Sequence, residues 1–220
     1  AGVVRVPLLR SENSFEIDKK SLIEKVQNSN RKIKIVFLCS PNNPTGTGFA
    51  PEVLAEICHD LRDYCLVVID EAYAEFSEKQ SMLRELARFT NMIVLRTLSK
   101  AWSLAGARCG VAIGAPEIIQ LLQKIRAPYP LSTPTIDAIL TSINQSQGRI
   151  RERIQEVCER KELLAAELQK LSIVKNIFSS DANFLLIEFK NSARVMAQAR
   201  AAGIILRDRS SELNDCIRIT

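Results

Sequence analysis

Apolar residues gather along this chain in two kinds of run. Residues 3–6, 33–39, 66–69, 92–96 and 109–113 are short runs, several of them nearly continuous in apolar character. Strands buried on both faces of a sheet read this way. Between them, residues 14–28, 51–63 and 81–88 mix apolar and polar positions and contain helical segments. Pro51 suits the first turn of a helix, where its missing N–H costs nothing. The alternation predicts an α/β fold: βαβ units giving a mostly parallel sheet with helices on both faces.

The pattern changes at Arg126-Ala127-Pro128-Tyr129-Pro130-Leu131-Ser132-Thr133-Pro134, where three prolines in seven residues forbid a regular helix. Residues 135–171 are charged and helix-rich, with a break expected near Gln147-Gly148. Leu163, Leu164, Leu168 and Leu171 recur at helical spacing and predict a core-facing stripe with a solvated back. Strands at 173–178 and 183–189, a helix at 193–202 and strands at 204–206 and 216–219 follow. This predicts a large domain over residues 1–130 and a smaller α+β domain over 131–220. Strand-like runs at both ends make the chain look cut from a longer protein, with the N-terminal part of the large domain missing.

Composition narrows the picture without redirecting it. The 220 residues are 46% hydrophobic and 25% charged, with a formal net charge of +5. That balance belongs to an ordinary globular protein. The basic residues are dispersed, which argues against a nucleic-acid partner. No apolar stretch reaches the roughly twenty residues a membrane span needs. Six cysteines without a C-x-x-C pair, and one isolated histidine, His59, argue against a metal site. Several of the cysteines sit in apolar runs and pack there as small hydrophobes, so free thiols in a reducing cytoplasm are expected.

The candidate chemistry lies just beyond the carboxyl ends of three predicted strands, the edge where open α/β sheets bind ligands. The segment Thr97-Leu98-Ser99-Lys100-Ala101-Trp102-Ser103-Leu104-Ala105-Gly106-Ala107-Arg108-Cys109-Gly110 sets hydroxyls one and three residues before Lys100 and a guanidinium eight after it. Hydroxyls and guanidinium can hold a phosphate, and the amine can form an imine with an aldehyde. Pyridoxal 5'-phosphate carries both groups. Asp70, in Asp70-Glu71-Ala72-Tyr73, suits a protonated pyridine nitrogen. Asn43, in Ser40-Pro41-Asn42-Asn43-Pro44-Thr45-Gly46, and Tyr73 can hydrogen-bond a phenolic oxygen on the same ring. Each motif has a plainer reading: a surface lysine after a strand, a helix N-terminal Asp, an Asn/Pro/Gly turn. Their order and spacing together favour the cofactor.

These motifs, with Val68-Ile69-Asp70-Glu71-Ala72-Tyr73-Ala74-Glu75-Phe76, Leu206-Arg207-Asp208-Arg209 and Cys216-Ile217-Arg218-Ile219-Thr220, resemble the fold-type I pyridoxal-phosphate aminotransferases over essentially the whole chain. Within that superfamily the chain looks most like the histidinol-phosphate aminotransferase family. The resemblance implies a cytoplasmic homodimeric enzyme moving an amino group between a small-molecule amino donor and a 2-oxo acid. It implies Lys100 as the lysine bound to the cofactor and the proton shuttle, with Asp70 on the ring nitrogen. Asn43 and Tyr73 would contact the ring oxygen, and Thr97, Ser99 and Arg108 the phosphate. Arg218 would bind the substrate anion, with Arg207 a lesser candidate for the substrate's far end. Two other readings share the scaffold: a decarboxylase of phosphorylated amino acids, and a non-catalytic binding domain that keeps the pocket.

Overall fold

The structure, a computed structural model, describes residues 2–146 and 148–220. A hairpin of β1 (Leu9–Arg10) and β2 (Phe15–Glu16) leads into α1 (Lys19–Gln27). The Asp18 carboxylate caps α1 by accepting the Ser21 N–H. Then come β3 (Ile35–Cys39), α2 (Pro51–Asp60), β4 (Leu66–Asp70), β5 (Met92–Thr97), β6 (Gly110–Gly114) and α3 (Pro116–Ile125). Helices α4 (Thr133–Ser146) and α5 (Arg149–Gln169) precede β7 (Val174–Ile177), β8 (Leu185–Phe189), α6 (Ser192–Ala201), β9 (Arg207–Asp208) and β10 (Cys216–Ile219).

The first sheet has the order β3-β4-β5-β6. Its first three strands are parallel, and β6 runs antiparallel to β5. One face explains the apolar runs. Val36, Leu38, Val67, Ile69, Met92 and Val94 pack against Leu22 and Val26 of α1 and Leu54, Ile57 and Cys58 of α2. Each such fully buried side chain contributes about 1.5–3 kcal/mol. The other face is covered less evenly: Val68 and Ile93 are buried, but Ile35 and Phe37 on edge strand β3 are 46% and 65% exposed.

The second sheet has the order β7-β8-β10-β9, and every pairing in it is antiparallel. Val174, Leu185, Ile187, Phe189 and Ile217 pack against Ala165 and Leu168 of α5 and Val195 and Met196 of α6. The opposite face carries Leu186 and Cys216, which pack with Phe178 and Phe15. Phe15 and Phe178 are tilted rings with centroids 4.9 Å apart, and Arg10 pairs with Glu188. The β1–β2 hairpin thus rests on the second sheet, although it falls within the span 1–130 expected for the first domain.

Several expectations need correction. Residues 3–6 form no strand: they find no neighbouring strand, and Val3 and Val4 are exposed. Residues 81–88 yield a single 3-10 turn, Met82–Glu85, because the Glu71 carboxylate takes the Ser81 hydroxyl and the Met82 N–H and ties the segment to the end of β4. Residues 204–206 are not a strand; pairing with β10 begins at Arg207. Helix α3 stands where no element was anticipated. Of the four leucines at 163, 164, 168 and 171, only Leu168 packs on the sheet, while the other three are exposed. The inward stripe of α5 instead runs through Ile150, Ile154, Cys158, Lys161, Ala165 and Leu168. The expected break falls between α4 and α5; Gln147 itself, like Ala1, lies outside the described residues. Among the described residues no helix is long and apolar enough to cross a membrane.

The two sheets are joined at a seam of backbone contacts. Asp181 donates its N–H to Gly46 O at 2.8 Å and accepts the Gly48 N–H at 2.9 Å. Lys79 reaches the same carboxylate at 2.6 Å. Gly46 has φ +78°, and a Cβ there would lie 2.4 Å from Ser180 Oγ. Gly203 has φ +74° but open space around the same position. Both positions charge an alanine for left-handed backbone, about 1–2 kcal/mol; at Gly46 alone overpacking adds roughly 1–3 kcal/mol. Urea denaturation should therefore show Gly46→Ala costing clearly more stability than Gly203→Ala. Equal losses would mean that the seam yields freely.

Candidate active site

Three parallel strands end side by side. Cys39 closes β3 in register with Asp70, the last residue of β4, and Thr97 closes β5. Side chains alternate across a strand. Asp70 and Thr97 therefore share one face, and Glu71 and Arg96 take the other. On that second face Glu71, 3% exposed, accepts from Ser81 Oγ at 2.6 Å, Met82 N–H at 2.7 Å and Arg96 Nε at 2.9 Å. Arg96 also bonds Glu75 at 3.0 Å. This network fixes the ends of β4 and β5 relative to one another.

Asp70 is half-buried, and its Oδ1 accepts the Ala72 N–H at 3.0 Å. The other oxygen takes no hydrogen bond among the described residues. The Cys39 thiol is pushed up to about 11, first by burial and then by the Asp70 charge.

The loop after β5 folds back on itself. Leu98 N–H donates to Cys109 O at 3.1 Å, and the Thr97 hydroxyl accepts the Ser99 N–H at 3.1 Å. Arg108 sits in left-handed backbone, φ 50°, with an exposed side chain donating to Ala105 O at 3.2 Å. Lys100 lies on the outer turn of this loop, exposed, its Nζ 5.1 Å from the centre of the Tyr73 ring. Among the described residues no carboxylate pairs with it.

The loop after β3 closes through Gly46 N–H to Asn42 O, 2.7 Å, and Asn42 N–H to Thr47 O, 2.7 Å. It presents Asn43 toward the second sheet. Arg218 of β10 donates Nη1 to Asn43 Oδ1 at 2.8 Å. The Arg218 guanidinium lies 5.0 Å over the Phe184 ring, and Phe184 stands edge-on to Tyr73, centroids 5.2 Å apart. Burial lowers the Arg218 pKa; Tyr73 opposes that, while the charges of Arg209 and Arg207 add to it.

The structure thus joins Asn43, Tyr73, Lys100 and Arg218 in one chain of contacts. Asp70, Thr97, Ser99 and Arg108 share the strand-end edge with them, without a direct hydrogen bond to that chain among the described residues. Arg207 stands opposite Arg218 in the β9–β10 register and is exposed. Sequence reasoning missed four contributors. Phe184 reads simply as part of an apolar strand. Lys161 reads as one more helix charge, yet it is buried and donates to the carbonyls of Ser180 and Ala182. Glu71 and Arg96 are visible only as neighbours of other residues.

Comparison with known proteins follows the same lines. The sequence family described as aminotransferase class I and II matches residues 1–220. The chain is 39% identical over 218 residues to a histidinol-phosphate aminotransferase of Buchnera aphidicola subsp. Cinara cedri, covering 98% of this chain and 60% of that protein. It is 40% identical over 222 residues to the histidinol-phosphate aminotransferase of Aeromonas hydrophila subsp. hydrophila, covering 100% of this chain and 60% of the relative. A solved histidinol-phosphate aminotransferase from Sinorhizobium meliloti, in complex with pyridoxal-5'-phosphate, superposes with a TM-score of 0.82 at 27% identity, over 99% of this chain and 59% of that one. The chain therefore spans about 60% of the length of the curated relatives it matches.

Replacing Glu71 by Ala strips Arg96 of its buried partner and leaves the Met82 N–H without an acceptor. Loss of one member of such a pair costs about 3–5 kcal/mol. Urea denaturation of Glu71→Ala should show a loss of that order; a loss under about 1 kcal/mol, the size of an exposed pair, would mean the network does not anchor the strand ends.

Proposed function

The chain belongs to the aminotransferase class I and II family, and from that premise we propose that it forms the catalytic part of a pyridoxal-phosphate-dependent histidinol-phosphate aminotransferase. The reaction is amino transfer from L-histidinol phosphate to 2-oxoglutarate, giving imidazole acetol phosphate and L-glutamate, a step of histidine biosynthesis. The names of the relatives at 39% and 40% identity support transfer over decarboxylation on the same scaffold. The observation that carries the proposal is the meeting of the Lys100 amine, Tyr73, Asn43 and Arg218 at the carboxyl end of the parallel strands.

The residues present fit the cofactor. Among the described residues Asp70 has a carboxylate oxygen to spare, the Lys100 amine has no carboxylate partner, and the Arg218 Nε is buried without an acceptor. When bound, pyridoxal phosphate supplies an aldehyde for reversible attachment of amines and a ring that withdraws electrons. Asp70 would hold a proton on the ring nitrogen through an opposite charge at hydrogen-bond distance. Asn43, whose Oδ1 is engaged by Arg218, keeps its amide N–H groups for the ring oxygen, together with the Tyr73 hydroxyl. Thr97, Ser99 and Arg108 would hold the phosphate. Lys100 would hold the cofactor through its amine and, as the general base, would take the proton from the substrate carbon that bears the amino group and give it back on the far side of the nitrogen. Arg218 orients the substrate anion, since a planar guanidinium makes a two-pronged contact; Arg207 stands beside it. The substrates are a small-molecule amino donor and a 2-oxo acid, handled in the cytoplasm by a homodimer.

Borohydride treatment of the full-length, cofactor-loaded protein, followed by peptide mapping, should place the label on Lys100; label on another lysine would sink the assignment. Asp70→Asn should keep the fold and lose roughly a hundredfold or more in turnover, which corresponds to about 3 kcal/mol at the transition state. Near-normal turnover would remove Asp70 from the mechanism.

A further inference from the structure

The amino ends of β3, β4 and β5 carry a second concave surface, at the sheet edge opposite Asp70 and Thr97. A cleft of about 340 Å³ opens there, lined by Lys32, Lys34, Arg62, Asp63, Tyr64 and Asn91. Leu66, the first residue of β4, also lies on its wall. Asp70 is the last residue of the same strand, roughly 13 Å further along at the usual rise per residue. The cleft is therefore separate from the candidate active site.

Its walls are unbalanced in charge. Lys32, Lys34 and Arg62 stand against a single acid, Asp63, and all four are exposed. Among the described residues none of the three cations is in an ion pair. Cations converging on a concavity concentrate anions there. Tyr64 adds an aromatic side chain that is 46% exposed.

The lining is also held in place. Asn91, just before β5 and buried, donates its Nδ2 to Cys58 O at 3.0 Å and to Cys65 O at 3.5 Å. One amide thus clasps both sides of the turn that carries Arg62, Asp63 and Tyr64. Within the turn, Tyr64 N–H donates to Leu61 O at 3.1 Å. On the opposite wall Lys34 O accepts the Leu66 N–H at 3.0 Å. A surface ordered before its ligand arrives loses less freedom on binding. Carbonyls only accept, so the clasp fixes the Asn91 amide and leaves its Oδ1 buried without a donor among the described residues. Such an acceptor is unfavourable to leave unmet.

We infer that this cleft binds a nucleoside monophosphate. The lysines supply charge for the phosphate, and the Arg62 fork meets phosphate oxygens in pairs. Tyr64 offers a face on which a base stacks. An amino group on that base brings donors for Asp63 and for the Asn91 Oδ1. The volume falls within the roughly 300–1,000 Å³ of small-molecule sites. Inorganic phosphate would leave Tyr64 and Asn91 unused, and a free nucleoside would leave the cations unmet.

The test is calorimetric titration of the full-length, cofactor-loaded protein with adenosine 5'-monophosphate, adenosine and inorganic phosphate. The nucleotide should saturate the protein below about 1 mM and bind about tenfold more tightly than either of its parts. Replacing Lys34 and Arg62 together by Gln should weaken it about tenfold, through loss of charge-assisted bonds. Tyr64→Ala should weaken it about fivefold, the loss of one base–aromatic stack. All three side chains are exposed, and an unchanged midpoint in urea confirms that the variants fold. The inference is overturned by nucleotide binding that does not saturate by about 10 mM. An advantage over either part below threefold also overturns it, as does a loss below threefold in either variant. None of these readings passes through amino transfer, so the proposed function stands or falls separately.

Discussion

Everything in the site depends on a close approach of backbone to backbone. The loop from Asn42 to Gly48 belongs to the first sheet and the turn from Ser180 to Ala182 to the second. They meet through two main-chain N–H groups and one shared carboxylate, that of Asp181. Lys161 holds the turn from behind by donating to the carbonyls of Ser180 and Ala182. An approach this close leaves no room for a Cβ at Gly46. Around the seam, Tyr73, Phe76 and Ala101 of the first unit pack with Ala182 and Phe184 of the second. The Asn43–Arg218 hydrogen bond is a consequence of this register. A single bond of about 1.5–3 kcal/mol to a charged group could not set it.

The seam also divides labour. Of the candidate groups, the first unit carries the Lys100 amine, the Asp70 carboxylate, the hydroxyls and Arg108, and the second carries Arg207 and Arg218. Two cations, Lys100 and Arg218, would repel each other if they shared an open cleft. Instead each lies over a different aromatic ring, Tyr73 and Phe184, and the two rings meet edge to face. Aromatic faces attract cations and their edges do not. The perpendicular pair therefore keeps the two cations on separate rings.

How much of this was legible in the sequence follows from what sets each feature. Strands β3, β4 and β5 are continuous apolar runs, in β4 and β5 because both faces are largely covered, and such runs can be read directly. The polar residues at their carboxyl ends were legible for the same reason, since the end of a run marks the edge of the sheet. Features set by distant partners were not legible. The phase of α5 was misjudged because a lysine, Lys161, occupies the inward stripe, and only the carbonyls of residues 180 and 182 satisfy it. Strands β1 and β2 have two residues each, too few for any periodicity. Phe184, just before β8, owes its place to packing against Tyr73 across the seam, which no local pattern encodes. The antiparallel direction of β6 likewise depends on the loop around Lys100 folding back through the Leu98–Cys109 contact.

Edge strand β3 has a different kind of consequence. Among the described residues its outer backbone groups face no neighbour in the sheet order, and Ile35 and Phe37 stand exposed beside them. An unprotected edge with apolar side chains is a template for adding another strand, from this polypeptide or any other. During synthesis this margin would be adhesive for as long as it stayed bare. Lys32 and Lys34, immediately before the strand, place charge at its entrance in the manner of gatekeepers that slow such sticking. The tendency of this chain to associate would then be set at β3, far along the sheet from Lys100.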